Sequence, residues 1–453
     1  MNESKQQYSA WHFRFWLINL KKIASIIGGS FWFIPSILIS IAAIAGVILP
    51  KIPLPEFFIT TLDHLFVIVD LEDSLEVVKL IASSTITITS IAFSMTVVAL
   101  VMASNQFGPR LIENFMQNKW TQLVLGIFTS TFVFCLVVIS KINVSSEAPY
   151  YPQFAIVIAV ILAVICVFVL IFFIHHVATS IRADNVVKQI SSSMMNDIRT
   201  LQCESKRVHA FKSIIELENY TYKLNIISKC DGYIQAVEYH QILDTAIQFD
   251  GLIIMQRRAG QYIVPGTPIA VLYNNSGIPS SISLDSALVI GQERTSLQDT
   301  LYAINQLVEM ALRALSPSMN DPFTAINCID RLASGLASFT EENLPKTSIV
   351  DDNNELRMIT NEATFHDLFK GAFNQIRQNS VSHTFVVIHL LDTFITLLKA
   401  CDSQDHMCEA VSTQVKSIKQ YHHQNSIFDN EEDNKKFDKR IAELEILIKE
   451  NEC

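Results

Sequence analysis

Apolar positions in the first 175 residues do not alternate with polar ones. They run together in four blocks: Phe31–Leu49, Leu80–Ala103, Thr121–Ser140 and Phe154–Ile174. None of the blocks contains a charged side chain. Each has about the 20 apolar residues that one bilayer crossing requires, so four transmembrane helices are predicted. The first block begins too late, and is followed by too many others, for a secretory signal peptide. Beyond the fourth block the pattern is that of water-soluble protein. Residues 181–228 read as a helical connector continuing the fourth span. Residues 229–275 hold short strand candidates, YIQAVEY, GLIIMQRR, QYIVPG and PIAVLY, separated by glycine and proline. Residues 285–453 return to helical spacing. The predicted fold is a polytopic α-helical membrane protein, with a membrane domain over 1–180. Its cytoplasmic region is mixed but mainly helical and contains a small β module.

Charge orients this scheme. Lys5, Arg14, Lys21 and Lys22 precede the first span, Arg110 and Lys119 lie between the second and third, and Arg182, Lys188 and Arg199 follow the fourth. The loop after the first span carries Lys51 against Glu56, Asp63, Asp70, Glu72, Asp73 and Glu76. Basic residues stay on the cytoplasmic side, so both termini are expected there. Trp11, Phe13, Phe15 and Trp16 interleave with Arg14 and suggest an interfacial segment on the inner leaflet. Cys203, Cys230, Cys328, Cys401, Cys408 and Cys453 would then face a reducing compartment, which argues against a disulfide framework.

The second span carries unusual chemistry. At helical spacing Ser83, Thr87, Ser90 and Ser94 form one stripe, and Thr85, Thr89, Ala92, Thr96, Ala99 and Ala103 form a neighbouring one. Small and hydroxyl residues let membrane helices approach closely. That packing is the first reading; the second is that a hydroxyl row lines a polar path in an oligomer. Gly108 and Pro109 should end the helix, which gathers Asn105, Gln106 and Arg110 at a cytoplasmic mouth. His175 and His176 are adjacent, about 100° apart on a helix, and make a poor joint metal site.

In the β module, GQYIVPGTPIAVL resembles the turn of a barrel-sandwich domain of the biotinyl and lipoyl carriers. Such carriers need a lysine at the hairpin tip, and residues 231–275 contain none. Arg257 and Arg258 read as a solvated edge. Further on, Leu297, Leu301, Ile304, Val308, Ala311 and Leu315 share a helical face, with Thr295 or Ser296 as its N-cap. Ser316-Pro317 ends that helix. Asp321-Pro322 starts the next, with aspartate as N-cap and proline at the first helical position. The corner also gathers Arg313, Asn320, Asp321, Asp330 and Arg331, more ionisable chemistry than a turn needs, and so a candidate ligand site. The tail stripe Phe437, Ile441, Leu444 and Ile448 should dock on the domain or pair between subunits.

Four stretches carry a resemblance: ALRALSPSMNDPFTA, SIAFSMTVVALVMASNQFGPRLIENF, QYIVPGTPIA and AFNQIRQNS. Together they resemble the DUF2254 family of predicted bacterial membrane proteins. The resemblance implies this architecture and a bacterial inner-membrane location; it carries no activity, catalytic residue, metal or cofactor. Family members usually have Gly-Ile where this chain has Ser318-Met319, so the corner turn is expected to differ here.

The chain shows no Gly-rich nucleotide loop, H-E-x-x-H or G-x-S-x-G motif. Its net charge of −10 and lack of a basic stripe argue against nucleic acid as a partner. Two readings remain. One is a homo-oligomeric channel or transport-like protein whose second span lines or packs around the path. The other is a membrane-anchored sensor or scaffold for a small cytoplasmic ligand. An enzyme is the weaker third.

Overall fold

The structure is a computed structural model, described for residues 31–52, 71–108, 118–144, 152–205, 217–277, 282–339, 348–351, 353–400, 405–425 and 430–450. The predicted interfacial segment around Trp11–Trp16 lies outside these residues. The chain forms two compact units, Met1–Arg182 and Ala183–Cys453.

The first unit contains α1 (Phe33–Ile48), α2 (Leu71–Phe107), α3 (Lys119–Val144) and α4 (Pro152–Ser180). All four are long and apolar enough to cross a bilayer. Helix α3 is central and packs against the other three. Two glycines set its closest approach to α1. A Cβ on Gly126 would stand 2.6 Å from Leu38 Cδ1 and 3.2 Å from the Pro35 Cα. One on Gly46 would stand 3.0 Å from Val137 Cβ. Close backbone approach maximises dispersion contact where lipid supplies no hydrophobic drive between helices. Two apolar clusters fill the bundle. Phe134, Cys135 and Val138 of α3 meet Val78 and Ala82 of α2 and Ala155 and Ala159 of α4. Val124, Leu125 and Phe128 meet Ala92 and Phe173.

The second unit begins with α5 (Ala183–Ser205). It is a separate helix rather than a continuation of α4, because Ile181 and Arg182 are non-helical. Its buried side, Val187, Ile190, Met194 and Ile198, recurs at the spacing of one helical face. Part of the predicted connector is a strand, β1 (Tyr222–Ile227). The β-rich part continues through β2 (Gly232–Val237), α6 (Tyr239–Gln248), β3 (Gly251–Met255), β4 (Tyr262–Ile263), β5 (Pro268–Asn274) and β6 (Leu288–Gly291). Two strands from farther along join it, β7 (Ser348–Val350) and β8 (Leu356–Ile359). It therefore recruits more chain than residues 229–275. One sheet has the order β1-β5-β3-β8-β7 and the other β4-β2-β6. Among the described residues only β3 and β8 run parallel. The chain crosses between sheets at Val264–Thr267, where Gly266 has φ +86° and donates its N–H to Ser228 O at 2.9 Å. Ile226, Ile234, Ile253, Ile263, Leu272 and Met358 share one core. Arg357 ties the turns together, reaching Asp351 at 2.8 Å and Asp250 at 2.7 Å.

Six helices follow: α7 (Leu301–Ala314), α8 (Pro322–Leu336), α9 (Phe365–Asn379), α10 (Thr384–Ala400), α11 (Asp405–Asn425) and α12 (Glu431–Glu450). Helix α10 is nearly as apolar as a span because it lies inside the bundle, with Val386, Leu390, Leu391, Phe394 and Leu398 buried. Phe369, Phe373 and Phe394 form an aromatic centre with ring centroids 4.9–5.7 Å apart. A Thr364–Asp367 capping box starts α9, and Arg258 reaches Asp367 at 3.5 Å. Arg258 is thus an inter-element tie and not a solvated edge. The tail docks on its own domain. Phe437, Ile441 and Leu444 are buried, and the Phe437 ring stacks on His422 at 4.2 Å. Cys408 is disulfide-bonded, unlike the reduced thiol expected.

The glycine packing makes a direct prediction. Gly126→Leu should lower the melting temperature of the detergent-solubilised protein markedly, because the neighbour includes the Pro35 backbone and cannot yield. Gly266→Ala should cost less, through its backbone conformation alone, since no atom lies within 4 Å of its Cβ position.

Candidate functional site

The 37 residues of α2 make a rod of about 55 Å, against about 30 Å of hydrocarbon. Its two predicted stripes separate cleanly. Thr85, Thr89, Ala92 and Ala103 are buried against the other helices, and Thr96 and Ala99 are half-buried. Ser83, Thr87, Ser90 and Ser94 are all exposed on the outer side of the protomer. Leu80, Val97 and Val101, also exposed, extend the outer row. Leu80, Ser83, Thr87, Ser90, Ser94, Val97 and Val101 follow one another at alternating steps of three and four. That is the spacing of a helix–helix seam.

Four threonine hydroxyls of α2 need no outside partner. Thr85 donates to Ile81 O (2.6 Å), Thr87 to Ser83 O (2.9 Å), Thr89 to Thr85 O (2.6 Å) and Thr96 to Ala92 O (2.8 Å). Each bonds one turn back, which satisfies the group inside its own helix.

At its end, α2 closes as predicted. Gly108 takes φ +107° and donates to Ser104 O at 3.0 Å. Asn105 is exposed and Gln106 half-buried there, while Arg110 lies outside the described residues. A cavity of about 210 Å³ opens at this level, with Thr96, Asn118, Thr121, His176 and Ser180 among apolar walls. His176 stacks on Phe172 at 5.6 Å and meets Ser180 Oγ at 3.4 Å. Among the described residues no three His, Cys, Asp or Glu side chains converge as metal ligands.

The corner between α7 and α8 is built as a turn. Asp321 caps α8, accepting from Thr324 N (3.1 Å) and Thr324 Oγ1 (2.6 Å), with Pro322 in the first turn. Asp321 N donates to Ala314 O at 2.8 Å. The left-handed residue is Asn320, φ +47°, a residue type that tolerates this region. Ser318 and Met319 carry no positive φ, so the absence of glycine there costs the turn nothing. Arg313 turns to Glu309 (3.3 Å), Asp330 to His389 (2.7 Å), and Arg331 is exposed.

Against known families, the model of the predicted membrane protein family DUF2254 matches residues 28–396. The chain belongs to the DUF2254 family. Relatives of this DUF2254 protein include the uncharacterized proteins Mb1321c of Mycobacterium bovis and Rv1290c of Mycobacterium tuberculosis. Each is 26% identical over 406 residues, covering 87% of this chain and 76% of the relative. No solved structure matches. The DUF2254 chain thus belongs to a predicted membrane protein family and has four helices long and apolar enough to cross a bilayer.

A cluster that sequence spacing did not reveal lies where α5 meets the start of α7. Helix α7 begins at Leu301, not at Leu297, and neither Thr295 nor Ser296 caps it. Leu297 is instead two-thirds exposed. Asp299, 4% exposed, accepts from Leu301 N (3.1 Å) and is gripped by Arg294 through Nε and Nη2. Gly260 leaves the space, since a Cβ there would collide with the Asp299 carboxylate. Gln298 bonds Val237 N at 2.8 Å and Val237 O at 3.2 Å, anchoring the loop to β2. Asp197 of α5 faces this arrangement, with its Oδ2 buried and without a hydrogen-bond partner among the described residues. Burial, with the Asp299 charge adding to it, pushes the Asp197 carboxyl up to about 6.

Two predictions come from these sites. Asp321→Ala should cost about 1 kcal/mol by losing the cap, while Asp321→Asn, also a capping side chain, should be close to neutral in thermal melts. For Asp197, a folded pKa of about 6 lies above the unfolded value of about 4. Its proton is held more tightly in the folded state. The stabilising contribution is complete below about pH 4 and is lost as pH rises through about 6. Asp197→Asn should therefore melt higher than the native protein at pH 7.5, with the gap closing as the pH falls to about 4. A gap independent of pH would contradict the shifted carboxyl.

Proposed function

We propose that this protein is a homo-oligomeric, channel- or transport-like membrane protein in which α2 of each copy faces a shared axis. The observation carrying this reading is the outward hydroxyl row, Ser83, Thr87, Ser90 and Ser94, set at seam spacing between apolar ends. A helix that only packed within its own bundle would turn its small hydroxyl residues inward and leave bulky apolar ones for lipid. Here the inward stripe already supplies the packing, and the outward one is left for another copy. Thr87, bonded to its own helix, still offers a lone pair, and the exposed Ser83, Ser90 and Ser94 hydroxyls can meet a polar solute or water. The distribution of lysine and arginine supports the bacterial inner membrane as the site, with both termini and the C-terminal unit in the cytoplasm.

Solute and ion flux across liposomes containing the full-length protein tests the reading. Flux should appear, and Ser90→Leu or Ser94→Leu should reduce it or change its selectivity. Cysteines placed at Ser90 or Ser94 should cross-link between copies in membranes. One placed at Leu136, exposed on α3, should not. Absence of flux under varied ions, tension and pH, with no cross-link at Ser90, would sink the proposal and leave a membrane-anchored sensor as the better account.

A further inference from the structure

Helices α9, α10 and α11, with the turn at Ser380 and Val381, line a partly open cavity of about 170 Å³ on the C-terminal unit. Its walls are Val387, Leu390 and Ile418, with Ser380 and Tyr421 beside them, and one cation, Arg377, enters it.

Most arginines of this unit that are partly withdrawn from water meet a carboxylate, Arg258, Arg294 and Arg357 among them. Arg257 and Arg377 meet none among the described residues, and of these two Arg377 lines the cavity. The Arg377 Nε donates to Gln414 Oε1 at 3.0 Å, and Gln414 Nε2 donates in turn to Asn374 Oδ1 at 2.6 Å. That chain fixes the guanidinium by its Nε edge and leaves the two terminal nitrogens for the cavity. Burial alone lowers the Arg377 pKa, with no anion to offset it. Withdrawing a charge from water without a counter-charge is costly, and an anion entering the cavity would relieve that cost.

We propose that this cavity binds a small organic monocarboxylate, its carboxylate on Arg377 and its hydrocarbon or aromatic body against Val387, Leu390 and Ile418. The charge count selects the class. One guanidinium matches one carboxylate with two parallel N–H bonds. A phosphate dianion would find no second cation among the lining residues. The apolar walls favour a body of several carbons over a bare inorganic anion.

The test uses the full-length protein in detergent, with benzoate, butyrate, benzamide and inorganic phosphate as probes, read by thermal shift and calorimetry. Benzoate and butyrate should stabilise saturably, with Kd in roughly the millimolar range or tighter. Benzamide, of like shape but uncharged, should not. Arg377→Gln should weaken benzoate binding by about tenfold or more, and Arg377→Lys by less. Val381→Phe, at the rim of the cavity, should block binding with the guanidinium left in place. It decides the matter should Arg377→Gln fail to fold. No saturable effect of either carboxylate would overturn the proposal. So would equal effects in the native and Val381→Phe proteins, or phosphate binding as tightly as benzoate. Because the readout is binding and not flux, the outcome is separate from that of the channel reading.

Discussion

Hydrocarbon offers no hydrogen bonds, so every polar group on a bilayer-crossing helix must be satisfied by its own helix or by protein. Much of the N-terminal unit depends on this constraint. It lets α2 carry so many hydroxyls, because Thr85, Thr87, Thr89 and Thr96 return theirs to carbonyls one turn back. It also makes their placement informative. With local bonding settled, which stripe faces inward is decided by packing. A tight helix approach is made through Gly46 and Gly126, between α1 and α3. The outer hydroxyl row of α2 takes no part in that packing.

The C-terminal unit meets the same electrostatic cost in a different medium. Water is available at its surface, so charges withdrawn from it must be paired, and most are. Asp299 is met by Arg294 and by a backbone N–H, and Arg357 gathers Asp250, Asp351 and Glu355. Among the described residues Arg257 Nε is buried without a partner, and two further groups are left incomplete beside a charge or a cavity. Asp197 faces another carboxylate, and Arg377 faces a cavity. In a fold that pairs most of its withdrawn charges, such groups are the candidates for protonation or ligand binding.

Much of this was legible in the chain. Uncharged blocks of about 20 residues admit few structures other than long apolar helices, and α1 to α4 fall on them. The strands β2, β3 and β5 fall on apolar runs bounded by glycine and proline. Asp321-Pro322 announced the start of α8, because a cap and a first-turn proline act within one turn of chain. Where the reading failed, the cause was non-local. The start of α7 was placed at Leu297 by periodicity, yet Gln298 is drawn to β2 and Asp299 to Arg294, which holds the chain out of the helix until Leu301. Helix α12 had two partners open to it, and its own α10 took it.

The sequence by itself determined the apolar helices, the turns and caps, and the membership of the α2 stripes, since each rests on neighbours within a turn or a strand. Tertiary structure alone decided which α2 stripe faces outward and that β7 and β8 join a sheet begun over a hundred residues earlier. It alone brought Asp197 to Asp299 and left Arg377 without a carboxylate. Those outcomes depend on what stands across a gap in space, and spacing along a chain holds no record of that.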